Sequence, residues 1–201
     1  MARNKELNQK MKDERREQIL SNALMLFATK GLSATKIIDI SGAARISQGL
    51  MYHYYKSKEE MFIELIKYAL ERMNAACIEL EKIPMLPHKK IEMAIEKLLQ
   101  GFDNDKNTSY YYLLILHATV SEAIPDEAKE IIRQGSSLPY EVVERILIEG
   151  QKDGSIRDYD AKDLAVIFWA SIKGLALNKA AFGEGYKMPD TRILMNVFLK
   201  E

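Results

Sequence analysis

The sequence predicts an all-α fold of nine to ten helices. Three observations carry that expectation. Apolar residues recur at the helical period along almost the whole chain, no stretch alternates as a half-buried strand would, and Gly, Pro and polar clusters interrupt the pattern where helices would end. With 201 residues, 47% of them apolar and 29% charged, the chain has an ordinary globular composition and enough length to bury a sizeable core.

Ile19, Ala23, Leu26 and Phe27 line one face of a helix of roughly residues 13–30, and Gly31 is its stop. Thr35 to Ala43 forms a short second helix with Ile37, Ile40 and Ala44 turned inward, and Ser47 caps a third, Gln48 to Tyr55. Ser57-Lys58-Glu59-Glu60 is a capping box: the Ser57 hydroxyl accepts from the amide of residue 60, and Glu60 reaches back to the amide of Ser57. It opens a long helix, 58–82, which Pro84 and Pro87 end. Helices at 88–101 and 108–123 follow, separated by the polar run 103–107. Pro125 restarts the chain into 126–134, and a helix at 139–152 closes at Gly154. Asp160 to Asp163 begins a helix reaching Phe182, Gly183 and Gly185 stop it, and Pro189 starts the last.

The net charge is zero, but it is unevenly spread. Residues 1–60 hold 11 Lys/Arg against 7 Asp/Glu, a net of +4, which leaves −4 on the remainder. A basic head on an acidic body points weakly to a polyanionic partner. The single cysteine, Cys77, excludes an internal disulfide and a cysteine-based zinc site, and the three histidines are too scattered for a metal. The first thirty residues lack the apolar segment of a signal peptide. The apolar stretch Leu164 to Phe182 is interrupted by Lys173 and Lys179, so a buried or interfacial helix is expected there and a cytoplasmic protein overall. No nucleophile elbow, phosphate loop or metal-ligand spacing favours an enzyme, and no cofactor is expected.

The informative segment is Thr35 to Lys58. Two short helices separated by Ala44-Arg45-Ile46 have the size of a helix-turn-helix, whose second helix enters the major groove of DNA. Here that helix would present Gln48, able to pair with a base edge, and Gly49, which lets the backbone approach closely. Tyr52 and His53 have polar tips suited to phosphate oxygens, and Lys58 stands at the positive end of the next helix.

Residues 15–62 resemble the DNA-binding domain of the TetR/AcrR family of bacterial transcriptional regulators. The match runs through Arg16, Ile19, Ala23, Phe27, Gly31, Thr35, Ile40 and Ala44, then Ile46 to Tyr55, and then Lys56-Ser57-Lys58-Glu59-Glu60-Met61. The late turn Glu149 to Arg157 is similar too. In two places the chain departs from the family: Arg45 stands where the turn usually has Gly, and Tyr55 where the third helix usually ends in Phe. Arg45 is either strained at positive φ or held in a permitted geometry that reaches a phosphate.

The resemblance implies an N-terminal three-helix helix-turn-helix domain, residues 1–57, and a larger helical effector-binding and dimerisation domain, residues 58–201. It implies a homodimer on a palindromic operator in double-stranded DNA, most commonly a repressor. Gln48 and Leu50 would lie near bases. Thr35, Tyr52, His53 and Lys58 would lie near phosphates, with Arg45, Ser47 and Gly49 on the same surface. Two helices of the body would form the bundle between subunits. The large and small residues of the penultimate and last helices fit that role: Phe168, Ser171, Ile172, Gly174, Leu175, Leu194, Val197 and Phe198, the alternative being an internal core. A small effector, uncharged or weakly polar, would occupy the body among Met73, Cys77, Met93, Phe102, Tyr111, His117 and Trp169. For Cys77, mid-helix burial is the expectation over a redox role. The competing function is a helical protein-interaction module that does not bind DNA.

Overall fold

The computed structural model describes residues 2–200. The helices in that span are α1 (Ala2–Ala34), α2 (Ile37–Ala43), α3 (Gln48–Met51), α4 (Lys58–Lys82), α5 (Pro87–Asn104), α6 (Lys106–Val120), α7 (Asp126–Gly135), α8 (Leu138–Lys152), α9 (Ala161–Phe182) and α10 (Thr191–Phe198). The only sheet-like pairing among the described residues is one antiparallel bridge, Ile156 to Leu199. The fold is all-α, as expected. Residues 1 and 201, the outer ends of the expected domains, lie outside the described residues.

Most helices fall where periodicity puts them, and the differences have local causes. α1 begins at Ala2, well before residue 13. Residues 2–12 carry no apolar stripe, but they contain neither Gly nor Pro and are mostly good helix formers. Gly31 does break the helical geometry, with φ 79° and ψ 165°, a conformation open to glycine alone. α2 starts at Ile37 and not at Thr35, because the Lys36 amide donates to the Asp39 carboxylate (3.0 Å) and sets the N-terminus there. α3 stops at Met51, short of Tyr55. His53 and Tyr54 donate three residues back, to the carbonyls of Leu50 (3.1 Å) and Met51 (2.9 Å), tightening the chain into turns. At α4 the Ser57 hydroxyl accepts from the Glu60 amide (3.2 Å) as expected. The Glu60 carboxylate, however, accepts from Lys56 (2.6 Å) and not from Ser57, one residue further out.

The apolar side chains gather into two clusters. One joins α1, α2 and α3 to the first half of α4 and to α6 and α7, with Phe27 and Phe62 edge to face at 5.5 Å. The other holds the far half of α4 with α5, α8, α9 and α10, where the Phe168 ring meets Trp169 and Phe198. The core therefore continues through position 57/58. α4 runs through both clusters: Met61, Phe62, Leu65, Ile66 and Leu70 pack in the first, Cys77 in the second, and Met73 against both. The late turn is fixed by Gly150, whose carbonyl accepts from the amides of Ser155 and Ile156 at 2.9 Å each. A Cβ on Gly150 would meet Ile156 Cγ1 at 2.2 Å, so no larger residue fits.

Candidate functional site

The turn between α2 and α3 is a Schellman motif. The Ile46 amide donates to Ser41 (3.0 Å) and the Arg45 amide to Gly42 (3.1 Å), which leaves Arg45 at φ 53°. Of the two geometries open to Arg45, the structure has the left-handed one. An L-residue there costs roughly 1–2 kcal/mol, and the Arg45 side chain is exposed. Past the turn, the Ser47 hydroxyl caps α3 by accepting from the Leu50 amide (3.1 Å).

Met51 and Tyr55 are drawn into the core, so α3 turns its other side outward. That side and the turn after it carry Gln48, Gly49, Leu50, Tyr52 and His53, all exposed, with Leu50 at 39% and Tyr52 at 54%. A Cβ on Gly49 would meet nothing nearer than the Ser47 hydroxyl at 4.0 Å. Nothing within the chain requires glycine there, and the bare backbone leaves this part of the surface open to close approach. Lys36, just before α2, and Lys56, in the turn after α3, are exposed too, and neither stands among the DNA-contact residues expected from the sequence.

Two residues expected beside phosphates are turned inward. Thr35 is fully buried, and its hydroxyl donates to the Gly31 carbonyl (2.7 Å). The Lys58 ammonium donates to the carbonyls of Leu32 (2.8 Å) and Thr35 (2.9 Å) and more weakly to Ser33 (3.5 Å). Its charge closes the turn after α1, where a helix leaves carbonyls unpaired. Tyr55 is a core ring with the Arg16 guanidinium 5.3 Å over its centroid, and Arg16 pairs with Glu64 of α4 at 2.6 Å. Burial, and then the Glu64 carboxylate, push the Tyr55 hydroxyl well above its ordinary pKa of 10.

In the body a cavity of about 310 Å³ opens between α4, α5, α6, α8 and α9. Four of the expected residues line it: Met73, Cys77, Met93 and Trp169. Three do not. Phe102 is fully buried behind Tyr112, edge to face at 5.3 Å. Tyr111 faces a separate groove of about 230 Å³ with Tyr68 and Arg72, and His117 lines none of these spaces. The tyrosine facing the main cavity is Tyr112, one position on in the run, and its hydroxyl is pushed far up by burial. The Trp169 indole is locked by donating to the Pro139 carbonyl (3.0 Å). Cys77 is buried, and burial followed by Glu81 pushes its thiol up to about 12, which suppresses the thiolate that redox chemistry needs.

α9 and α10 divide the expected interface residues. Phe168, Ile172 and Phe198 sit in the chain's own core, so for them the internal alternative holds. Ser171, Leu175 and Leu194 are half-buried, and Gly174 and Val197 are exposed. The outward face of α9 carries Ile167, Ala170, Gly174 and Leu177 at alternating spacings of three and four, and α10 exposes Ile193 and Val197. Ile193 is 67% exposed. An exposed apolar stripe of this kind marks an interaction surface.

The model of the tetR family of bacterial regulatory proteins matches residues 19–65, the head and the start of α4. The transcriptional repressor KstR2 of Mycolicibacterium smegmatis is 31% identical over 176 residues, covering 79% of this chain and 78% of the relative. The solved KstR2 of Mycobacterium tuberculosis, a ketosteroid transcriptional regulator, superposes with a TM-score of 0.74 at 20% identity, over 93% of this chain and 96% of the other. AibR, solved with isovaleryl coenzyme A and operator DNA, superposes at 0.68 and 15% identity over 91% and 95%. With an exposed recognition row on a matching head and similarity through the body, the chain belongs to the TetR family and is a DNA-binding regulator of transcription.

Proposed function

We propose that the chain acts in the cytoplasm as a homodimeric repressor, released from a palindromic operator when a small molecule fills the cavity in the body. The observation that carries this is the outward row Gln48, Gly49, Leu50, Tyr52 and His53, on a short helix behind a Schellman turn and on the turn after that helix. Gln48 and Leu50 read base edges. Arg45, Tyr52, His53, Lys36 and Lys56 take phosphates. Residues 1–57 do the reading, and residues 58–201 pair the subunits and bind the effector. Two copies meet through Ile167, Gly174, Leu177, Ile193 and Val197, presenting heads about 34 Å apart to successive major grooves.

α4 couples the two functions. Ser57 caps its first turn and Lys58 ties that turn to the end of α1, and Met73 and Cys77 further along the same helix line the cavity. A ligand that fits only one tilt of α4 shifts the spacing of the heads, and its effect is limited to its differential affinity for the two states.

A mobility-shift assay with DNA flanking the gene tests this reading. Binding should fall with a log–log salt slope of roughly −5 to −7, given three or four phosphate contacts per head. A dimer that retains no fragment, yet co-purifies with another regulator, would favour the interaction module.

A further inference from the structure

A second, smaller cavity of about 160 Å³ lies behind the main one, lined by Met73, Tyr112, Trp169, Thr119, Tyr140 and Lys173 among others. Met73, Tyr112 and Trp169 line both spaces, so these three side chains form the partition. Trp169 is fixed by its bond to Pro139, whereas Met73 is unbranched and adaptable, so it is the part that can move aside.

The two compartments differ in chemistry. The main one is lined almost wholly by aliphatic, Met and aromatic side chains, and its two charged residues, Glu79 and Lys97, are exposed. The inner one contains a cation. The Lys173 ammonium is half-buried, donates to the Tyr140 hydroxyl (2.8 Å) and stands 5.1 Å from that ring's centroid. Among the described residues no carboxylate lies within ion-pairing distance of it. A partly desolvated ammonium with only a neutral acceptor favours an incoming anion, and the Tyr140 hydroxyl, which accepts from Lys173 and keeps its own proton to donate, lines the same space, whereas the Thr119 and Ser136 hydroxyls donate to the carbonyls of Ile115 and Ile132.

Resting on the proposal that the body binds the effector, we propose that this effector is an elongated apolar monocarboxylate. Its hydrocarbon part fills the main cavity, Met73 swings aside, and its carboxylate pairs with Lys173 in the inner one. This departs from the uncharged or weakly polar ligand expected from the aromatic and Met content, because composition does not reveal that Lys173 lacks a counter-ion.

Calorimetric titration of the full-length protein with decanoate, decanol and decanoyl coenzyme A tests it. Decanoate should bind at least tenfold tighter than decanol, and Lys173→Met, of similar length but uncharged, should erase that difference. Comparison of the two alcohol and acid probes on the unaltered protein needs no variant, and a melting curve of Lys173→Met checks that it folds. Equal binding of acid and alcohol, binding of the thioester alone, or no binding of any probe would overturn the proposal. So would a preference for acid that survives Lys173→Met but disappears in Lys97→Met, since the head group would then sit at the outer mouth. Operator retention is measured separately: its failure would sink the regulator reading and leave the acid–alcohol comparison standing.

Discussion

Arg45 occupies a backbone region that glycine fills without cost, on an exposed turn against the DNA-facing helix. Strain at such a site points to function. Arg45→Gly should raise the melting temperature by a few degrees, corresponding to about 1 kcal/mol, while weakening operator binding at low salt. A variant that gains stability and keeps full affinity would remove Arg45 from the phosphate contacts. Lys58 makes the opposite case. Its position in the sequence suggests an anion-binding helix start, yet its ammonium reaches back to carbonyls at the end of α1. Lys58→Met should therefore cost about 1–3 kcal/mol of stability and leave the salt slope unchanged. A slope lowered by about one per head, with unchanged melting, would return Lys58 to the phosphates. Sequence spacing put Lys58 at the right element but could not give the direction of a long side chain. Thr35 was misplaced for the same reason: a hydroxyl can face solvent or a carbonyl left free by Gly31, and only the fold decides.

At the scale of elements, nearly all of the helix order was legible, because Gly, Pro and cap residues punctuate a steady helical period. What remained hidden was which face of a uniformly apolar helix turns inward. α9 carries apolar residues on more than one face, so Phe168 and Ile172 read as suited to an interface until packing in the cluster shared with α5, α8 and α10 buried them, while Ile167 and Leu177 stayed exposed. The Tyr110–Tyr112 run is similar. One residue is about 100° on a helix, enough to move the cavity-facing ring from Tyr111 to Tyr112. Leu177→Glu, on the outward face, should leave the helical content intact and convert the dimer to monomer in sedimentation. A dimer that persists in this variant would place the interface elsewhere.

At the scale of the whole molecule, α4 is the shared part, in contact with the head at one end and the cavity at the other. Cys77 lies at the cavity end of that helix as a protonated, buried thiol, its pKa raised from 9 to about 12. A raised value means that the folded state favours the thiol form. The contribution is fully present below about pH 9 and is lost as pH climbs toward 12. At pH 8 the native protein should react with iodoacetamide far more slowly than the denatured chain, and equal rates would contradict the burial. In the proposed function, the exposed residues of α3 and the turn after it read DNA in two copies. The most direct test is footprinting of the native dimer and of Gln48→Ala on the DNA flanking the gene, at low and moderate salt. Two protected half-sites in an inverted repeat about 34 Å apart are expected, with the variant losing discrimination at one position in each. Absence of protection on every fragment at low salt, or equal losses for the variant on all sequences, would contradict it.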